Sequence, residues 1–137
     1  MPARINHLAV FVAAIVFFLW GGLWYDVLFK NLWTAAIAHV MSTALPPPSP
    51  ALFVSSFVLG WILAYGTAMA LTRRPDDQTA QQGVSFAIFM GIFLYGTMTY
   101  QMRLYEGIPF ALWAIDFGYV LLGFAIVGAI VGGWKKK

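Results

Sequence analysis

The sequence of 137 residues contains no cysteine. This absence excludes disulfide bonds, thiolate metal sites, iron–sulfur clusters and thiol chemistry within the chain. It does not decide the redox compartment, because a chain without thiols is compatible with either.

Charged residues are scarce as well. They make up 9% of the chain, and 61% of the residues are hydrophobic, whereas a soluble domain is about 25% charged. Mean hydropathy is +0.79. No charged side chain occurs in residues 5–25, 31–72, 78–102 or 117–134. Since about 20 apolar residues cross the hydrocarbon core of a bilayer, each interval has room for one crossing.

These intervals predict an all-α integral membrane protein, with a single domain over residues 1–137. Backbone polar groups find no water inside lipid, so helices are the expected structure for such long apolar runs. We place four transmembrane helices at about 5–25, 51–71, 83–102 and 110–134.

The basic residues predict an orientation. In a four-span chain, Lys30 and Arg103 fall on one side of the membrane. The other side holds a larger set, which consists of Arg4, Arg73, Arg74, Lys135, Lys136 and Lys137. Because basic residues concentrate in cytoplasmic loops, both termini are predicted to be cytoplasmic. The same distribution at helix ends argues against a nucleic-acid partner.

The first outer loop, residues 26–50, is the unusual connection. Its first part, NLWTAAIAHVM, is compatible with a helix that lies in the membrane interface, with Trp33 as an anchor. The following PPPSP, residues 46–50, is expected to be stiff and extended. It serves either as a rigid lead into the next helix or as a segment that recognises a partner.

Small residues predict where the helices pack, because close approach of backbones drives helix association in lipid. One stripe in the second helix and a G-x-x-x-G pattern in the fourth are the candidates: Ser56, Gly60, Ala64 and Ala68, then Gly128 and Gly132. The pattern leaves open whether these surfaces join helices of one chain or of two.

Asp116 is the most unusual residue, because it lies inside the fourth apolar run. It is six residues beyond Phe110, so about 9 Å into the helix at 1.5 Å per residue. A carboxylate at that depth needs a partner, a proton or a bound group. Arg103 is the first choice of partner, since its guanidinium matches a carboxylate. The alternative is a site for a cation, a proton or a polar ligand group.

Aromatic residues make up 18% of the chain. They form either an interfacial belt or an outward-facing pocket anchored by Asp116. The candidate ligand-binding residues at that depth are Asp116, Arg103, Tyr119, Tyr100, Trp24, Tyr25 and Asp26. No nucleophile motif, phosphate loop or metal-spaced histidine pair accompanies them. We therefore predict no enzymatic activity, no catalytic residue, no cofactor and no metal.

Two stretches resemble a known family. FFLWGGLWYDVLFKNLW carries Gly22, Trp24, Tyr25, Leu28, Phe29 and Trp33 of its opening pattern. YEGIPFALWAIDFGYVLLGFAIVGAIVGGW carries Glu106, Gly107, Pro109, Ile115, Asp116, Gly118, Tyr119 and Trp134 of its closing pattern. Together they resemble a small bacterial membrane family catalogued as domain of unknown function seventeen-sixty-one. The chain departs from that family at Asp26, where a small residue is common, and in the Pro-rich loop. The resemblance implies four spans and a bacterial origin, hence the cytoplasmic (inner) membrane, and no known activity.

Two functions remain open from the sequence. One is the binding or transport of a small molecule or lipid through an aromatic pocket that opens outward, by a homo-oligomer. The other is a non-catalytic accessory subunit that packs against a larger membrane complex. Abundant small residues and bare apolar helix faces suit both.

Overall fold

A computed structural model describes residues 4–41, 47–73 and 78–136, and within these ranges it contains helices and no strand. The helices are α1 (His7–Leu28), α2 (Lys30–Ala38), α3 (Pro50–Thr72), α4 (Ala80–Glu106) and α5 (Phe110–Gly133). All except α2 are long and apolar enough to cross a membrane. The prediction of an all-helical chain with four such helices is confirmed.

Local capping determines where the helices begin and end. The side chain of Asn6 accepts hydrogen bonds from the backbone of Leu8 and Ala9, so α1 begins at His7 rather than Ile5. The Thr79 hydroxyl accepts from the backbone of Gln82, and α4 begins at Ala80 rather than Gly83. Such side chains satisfy N–H groups that have no partner within the helix.

The end of α4 follows from a glycine. Gly107 adopts φ 68°, a left-handed conformation that suits glycine because it has no Cβ. The Ile108 N–H then donates back to the Arg103 carbonyl at 3.0 Å, which closes the helix. As a result α4 runs to Glu106, beyond the expected end at Met102.

Two of the long helices contain a π-helical turn. One is Leu23–Leu28, the last six residues of α1, and the other is Gly91–Gly96, in the middle of α4. In the first, the Phe29 N–H donates to the Trp24 carbonyl, five residues earlier, at 2.9 Å. A π turn accommodates an extra residue and is frequent at functional sites. Neither turn is predicted by a residue pattern in the sequence.

The core lies where α1, α3 and α5 meet, and its buried members are Val10, Ala13, Ala64, Ala68, Leu71, Val127 and Val131. Of the small-residue stripe in α3, Gly60, Ala64 and Ala68 are buried. Ser56 is exposed, so the packed part of the stripe is shorter than expected. Gly128 and Gly132 are buried against α4.

The outward helix faces are strongly apolar. Leu19, Ile62 and Phe93 are each about three-fifths exposed, at 63%, 61% and 59%. Such surfaces are typical of helices that face lipid rather than water.

The segment between α1 and α3 contains the short helix α2, which packs against the π turn of α1 and against α5. Of the Pro-rich stretch, Pro46 lies outside the described residues, Ser49 is extended and Pro50 begins α3. The expected second loop lies partly outside as well, because residues 74–77 are not described.

Candidate functional site

Asp116 lies on α5 and is partly buried. The Tyr25 hydroxyl donates a hydrogen bond to Oδ1 of Asp116, with an O···O distance of 2.7 Å. Tyr25 belongs to the π turn of α1. Among the described residues, this tyrosine is the one hydrogen-bond partner of the Asp116 side chain.

Two tryptophans of α1 bracket Asp116 along α5. The Trp24 indole N–H donates to the Ile115 carbonyl at 3.0 Å, and the Trp20 indole N–H donates to the Tyr119 carbonyl at 3.2 Å. Trp24 is only 8% exposed. Its ring lies against Gly118, where a Cβ would come within 2.9 Å of the indole. The indoles therefore fix the position of α1 on the segment of α5 that carries the carboxylate.

Tyrosines from three helices lie near the carboxylate. The rings of Tyr25 and Tyr119 have centroids 5.0 Å apart and planes inclined at 60°. Tyr95, in the π turn of α4, is near enough for the charges of Asp116 and Arg103 to act on its hydroxyl. On the other side, Trp33 of α2 packs edge to face against Tyr25, at 5.7 Å between centroids. We call Asp116, Tyr25, Tyr95 and Tyr119 the tyrosine–aspartate cluster.

The prediction that Asp116 forms an ion pair with Arg103 is wrong. The Arg103 guanidinium instead pairs with Glu106 at 3.1 Å, and both side chains are well exposed, at 38% and 46%. Glu106 is three residues further along the same helix, so the two side chains are neighbours on its surface. The carboxylate of Glu106 pairs with the Arg103 guanidinium. Asp116 instead accepts a hydrogen bond from Tyr25.

The other candidate residues are divided. Trp24, Tyr25 and Tyr119 meet at Asp116, as described above. Tyr100 packs in a different group, with its ring 4.8 Å from Trp113 and 6.0 Å from Phe110. Asp26 is exposed, and no hydrogen bond or ion pair joins it to the described residues.

Two residues that belong to the site were not among the candidates. Trp20 is four residues before Trp24, so the two indoles share one helix face, which is a signal that the sequence does offer. Tyr95 lies in the π turn of α4, and no local sequence pattern predicts that turn.

A family model described as "Protein of unknown function (DUF1761)" matches residues 8–132. The chain belongs to this family. The resemblance seen in the sequence is thereby confirmed. No curated protein and no solved structure matches the chain.

The two stretches that carry the DUF1761 resemblance are distant in sequence and adjacent in space. Trp24 and Tyr25 of the first stretch contact the second stretch at Ile115, Asp116 and Gly118. The tyrosine–aspartate cluster therefore lies where the opening and closing patterns of the chain meet.

The cluster is poorly suited to a multivalent metal ion. Among the described residues, no group of three or more His, Cys, Asp or Glu side chains could hold one. Its donors are one carboxylate, three phenol hydroxyls and the faces of aromatic rings, which suit a small polar or singly charged group.

Proposed function

We propose that this DUF1761 protein spans the bacterial inner membrane four times and binds or transports a small molecule at the tyrosine–aspartate cluster. The chain ends face the cytoplasm in this proposal. The amide of Asn6 donates to the Trp134 carbonyl at 3.2 Å, so the N-terminal and C-terminal segments of the chain lie at the same end of the helical bundle. Basic residues concentrate at that side, which favours the cytoplasm under the positive-inside rule.

The opposite, outer end carries the cluster. Asp116 is in the second turn of α5, about 9 Å from Phe110 at the helical rise per residue. In the same proposal α2 lies in the outer interface, with Leu32 61% exposed and Trp33 against Tyr25. A molecule from outside the cell could reach this depth without crossing the core of the bilayer.

The observation that carries the proposal is the partner of Asp116. The phenol of Tyr25 can stabilise a carboxylate by donating a hydrogen bond, but it brings no positive charge. The nearest candidate guanidinium, Arg103, is paired with Glu106. An ionisable side chain inside a span is costly and marks a functional site by default. An Asp116 that served only to pin two helices would be better placed beside a cation.

The test uses Asp116→Asn, because asparagine keeps the shape and can still accept the hydrogen bond from Tyr25. Detergent-purified protein would be screened by thermal unfolding against amines, carboxylates, sugars and phospholipids. We expect one class to raise the Tm of the wild type and not of Asp116→Asn. Ligand at one hundred times its Kd contributes about 2.7 kcal/mol, which such a screen resolves.

Asp26→Asn is the matched control, since Asp26 is an exposed acid beside Tyr25. It should respond to the ligand as the wild type does. A screen in which Asp116→Asn responds like the wild type to every compound would refute the proposal.

The second candidate function, an accessory subunit, has one observation in its favour. The outer face of α3 has an open groove of about 400 Å³, lined by Val58, Trp61, Ile62, Tyr65, Gly66 and Met69. A Cβ at Gly66 would meet nothing within 4 Å. Glycines in membrane helices permit close approach of a second helix, and no described helix of this chain uses Gly66.

Gly66→Leu would place a side chain in that groove, at a position where a Cβ meets nothing within 4 Å. If the protein works as a subunit or a homo-oligomer through α3, this variant should lose a stoichiometric partner, or dissociate, on mild detergent purification. An unchanged assembly would count against this role for α3.

A further inference from the structure

We propose that the tyrosine–aspartate cluster takes an organic ammonium ion, a singly charged amine with a small apolar substituent shell. This inference rests on the proposed function, since it names the chemical class of the small molecule bound at Asp116.

The charge balance of the cluster leads to a monovalent cation. Asp116 supplies one carboxylate, and its three tyrosine neighbours are neutral phenols. The guanidinium of Arg103 is engaged by Glu106. One positive charge on a ligand therefore neutralises the site, and an anion would be repelled by the carboxylate.

The donor set favours an ammonium over a hard metal ion. Ca²⁺ requires six to eight oxygen ligands, and Mg²⁺ an octahedron that usually keeps several waters. Among the described residues, no group of three or more His, Cys, Asp or Glu side chains is placed to supply so many ligands. An ammonium requires one counter-charge and aromatic faces, and these are what the cluster presents.

The ring geometry supports the same class. Tyr25 and Tyr119 have ring centroids 5.0 Å apart with planes at 60°, so the two rings form a corner rather than a parallel stack. Phe17 packs against Tyr119, at 5.4 Å between ring centroids, and Trp33 packs against Tyr25 at 5.7 Å. The face of an aromatic ring attracts an ammonium that lies within about 6 Å of the ring centroid, and the Tyr25 ring lies beside the carboxylate that would balance its charge.

The tyrosine–aspartate cluster is partly accessible from outside the bundle. Asp116, Tyr25 and Tyr119 are all partly buried, and Tyr95 is exposed at 36%. The carboxylate is thus neither sealed in the bundle nor fully solvated, and an ion that binds there loses part of its hydration shell. Partial desolvation strengthens the contact between a cation and an aromatic ring.

The experiment compares choline with its neutral isostere, the alcohol in which a carbon atom replaces the nitrogen. Binding to the detergent-purified protein is measured by isothermal titration calorimetry. We expect choline to bind and the isostere to bind at least ten times more weakly. This comparison needs no variant, so it stands even if a substitution prevents folding.

Variants then assign the site. Asp116→Asn should weaken choline binding at least thirtyfold, because removing one member of a buried charge pair costs about 2–5 kcal/mol. Tyr119→Phe keeps the ring and should weaken binding less than Tyr119→Leu does. Tyr119→Leu removes the ring and should weaken binding roughly two- to thirtyfold, as expected for a lost cation–π contact of about 0.5–2 kcal/mol. Asp26→Asn should bind as the wild type does.

The outcomes separate this inference from the proposed function. Equal binding of choline and its isostere, or an effect of Asp26→Asn equal to that of Asp116→Asn, overturns the ammonium assignment. Binding of a carboxylate or sugar that depends on Asp116, without binding of choline or other amines, overturns it as well but leaves the proposed function standing. If no compound of any class depends on Asp116, both fall.

Discussion

Gly83 of α4 and Gly128 of α5 lie backbone against backbone. A Cβ built on either glycine would overlap the carbonyl oxygen of the other. Backbone cannot move aside as the end of a flexible side chain can, so this contact admits no side chain on either helix. It brings α4 and α5 closer than ordinary side chains would allow, as small residues do in membrane bundles.

Gly128→Ala should therefore lower stability by about 1–3 kcal/mol, the usual cost of overpacking a tight interface. The measurement is thermal unfolding in detergent. Gly66→Ala is the control, because a Cβ there meets nothing within 4 Å, and its Tm should be unchanged or slightly higher. Similar melting of both variants would contradict the packing described for α4 and α5.

Gly60 makes a softer contact than Gly128. Its Cβ would come within 2.9 Å of the Phe17 ring, and a side chain can turn away where backbone cannot. Gly60→Ala should destabilise less than Gly128→Ala, while Gly60→Leu should lower the Tm clearly because the ring has no room to yield so far. Wild-type melting of Gly60→Leu would show that α1 and α3 are not packed as described.

Tyr25→Phe removes the hydroxyl that donates to Asp116 and keeps the ring. Hydrogen bonds between membrane helices contribute about 0.6 kcal/mol on average and up to about 1.7, so a loss in that range is expected on unfolding. Tyr105→Phe is the matched control, since Tyr105 is 88% exposed and should show no loss. A Tyr25→Phe protein as stable as this control would mean that the bond contributes nothing.

Arg103→Gln distinguishes the observed pairing from the one expected from the sequence. Arg103 and Glu106 form an exposed pair, and such pairs contribute about 0–1 kcal/mol. The variant should therefore melt within that margin of the wild type. A loss of several kcal/mol would indicate that Arg103 supports a buried carboxylate such as Asp116 after all.

The proposed orientation can be tested with single cysteines, because the chain has none of its own. Gln81 and Tyr105 are both exposed and lie near opposite ends of α4. In intact spheroplasts, a membrane-impermeant maleimide should label Tyr105→Cys and leave Gln81→Cys unlabelled until the cells are lysed. The reverse pattern would invert the topology, and labelling of both would exclude a span between them.

The sequence predicts the helices well because lipid imposes a simple requirement. A charge-free interval of sufficient length forms a helix. The errors at His7 and Ala80 come from caps formed by the side chains of Asn6 and Thr79, and the error at Glu106 comes from the left-handed backbone of Gly107. The need of Asp116 for a partner also follows from its depth. The identity of that partner does not follow from depth. Depth gives the position of a residue along the membrane normal, and it does not give the direction in which the side chain points around the helix axis. Tyr25 lies within the π turn of α1, and no sequence pattern predicts that turn.

The π turn at Leu23–Leu28 makes the position of Tyr25 depend on the number of residues in the turn as well as on their identity. Deleting one residue there would convert the π turn into an ordinary α-helical turn, because a π turn accommodates one extra residue, and would shift the side chains within the turn, Tyr25 among them. The phenol would then face away from its carboxylate although no amino acid near the site had been substituted. For this segment, single-residue insertions and deletions should do more damage than most exchanges of one side chain for another.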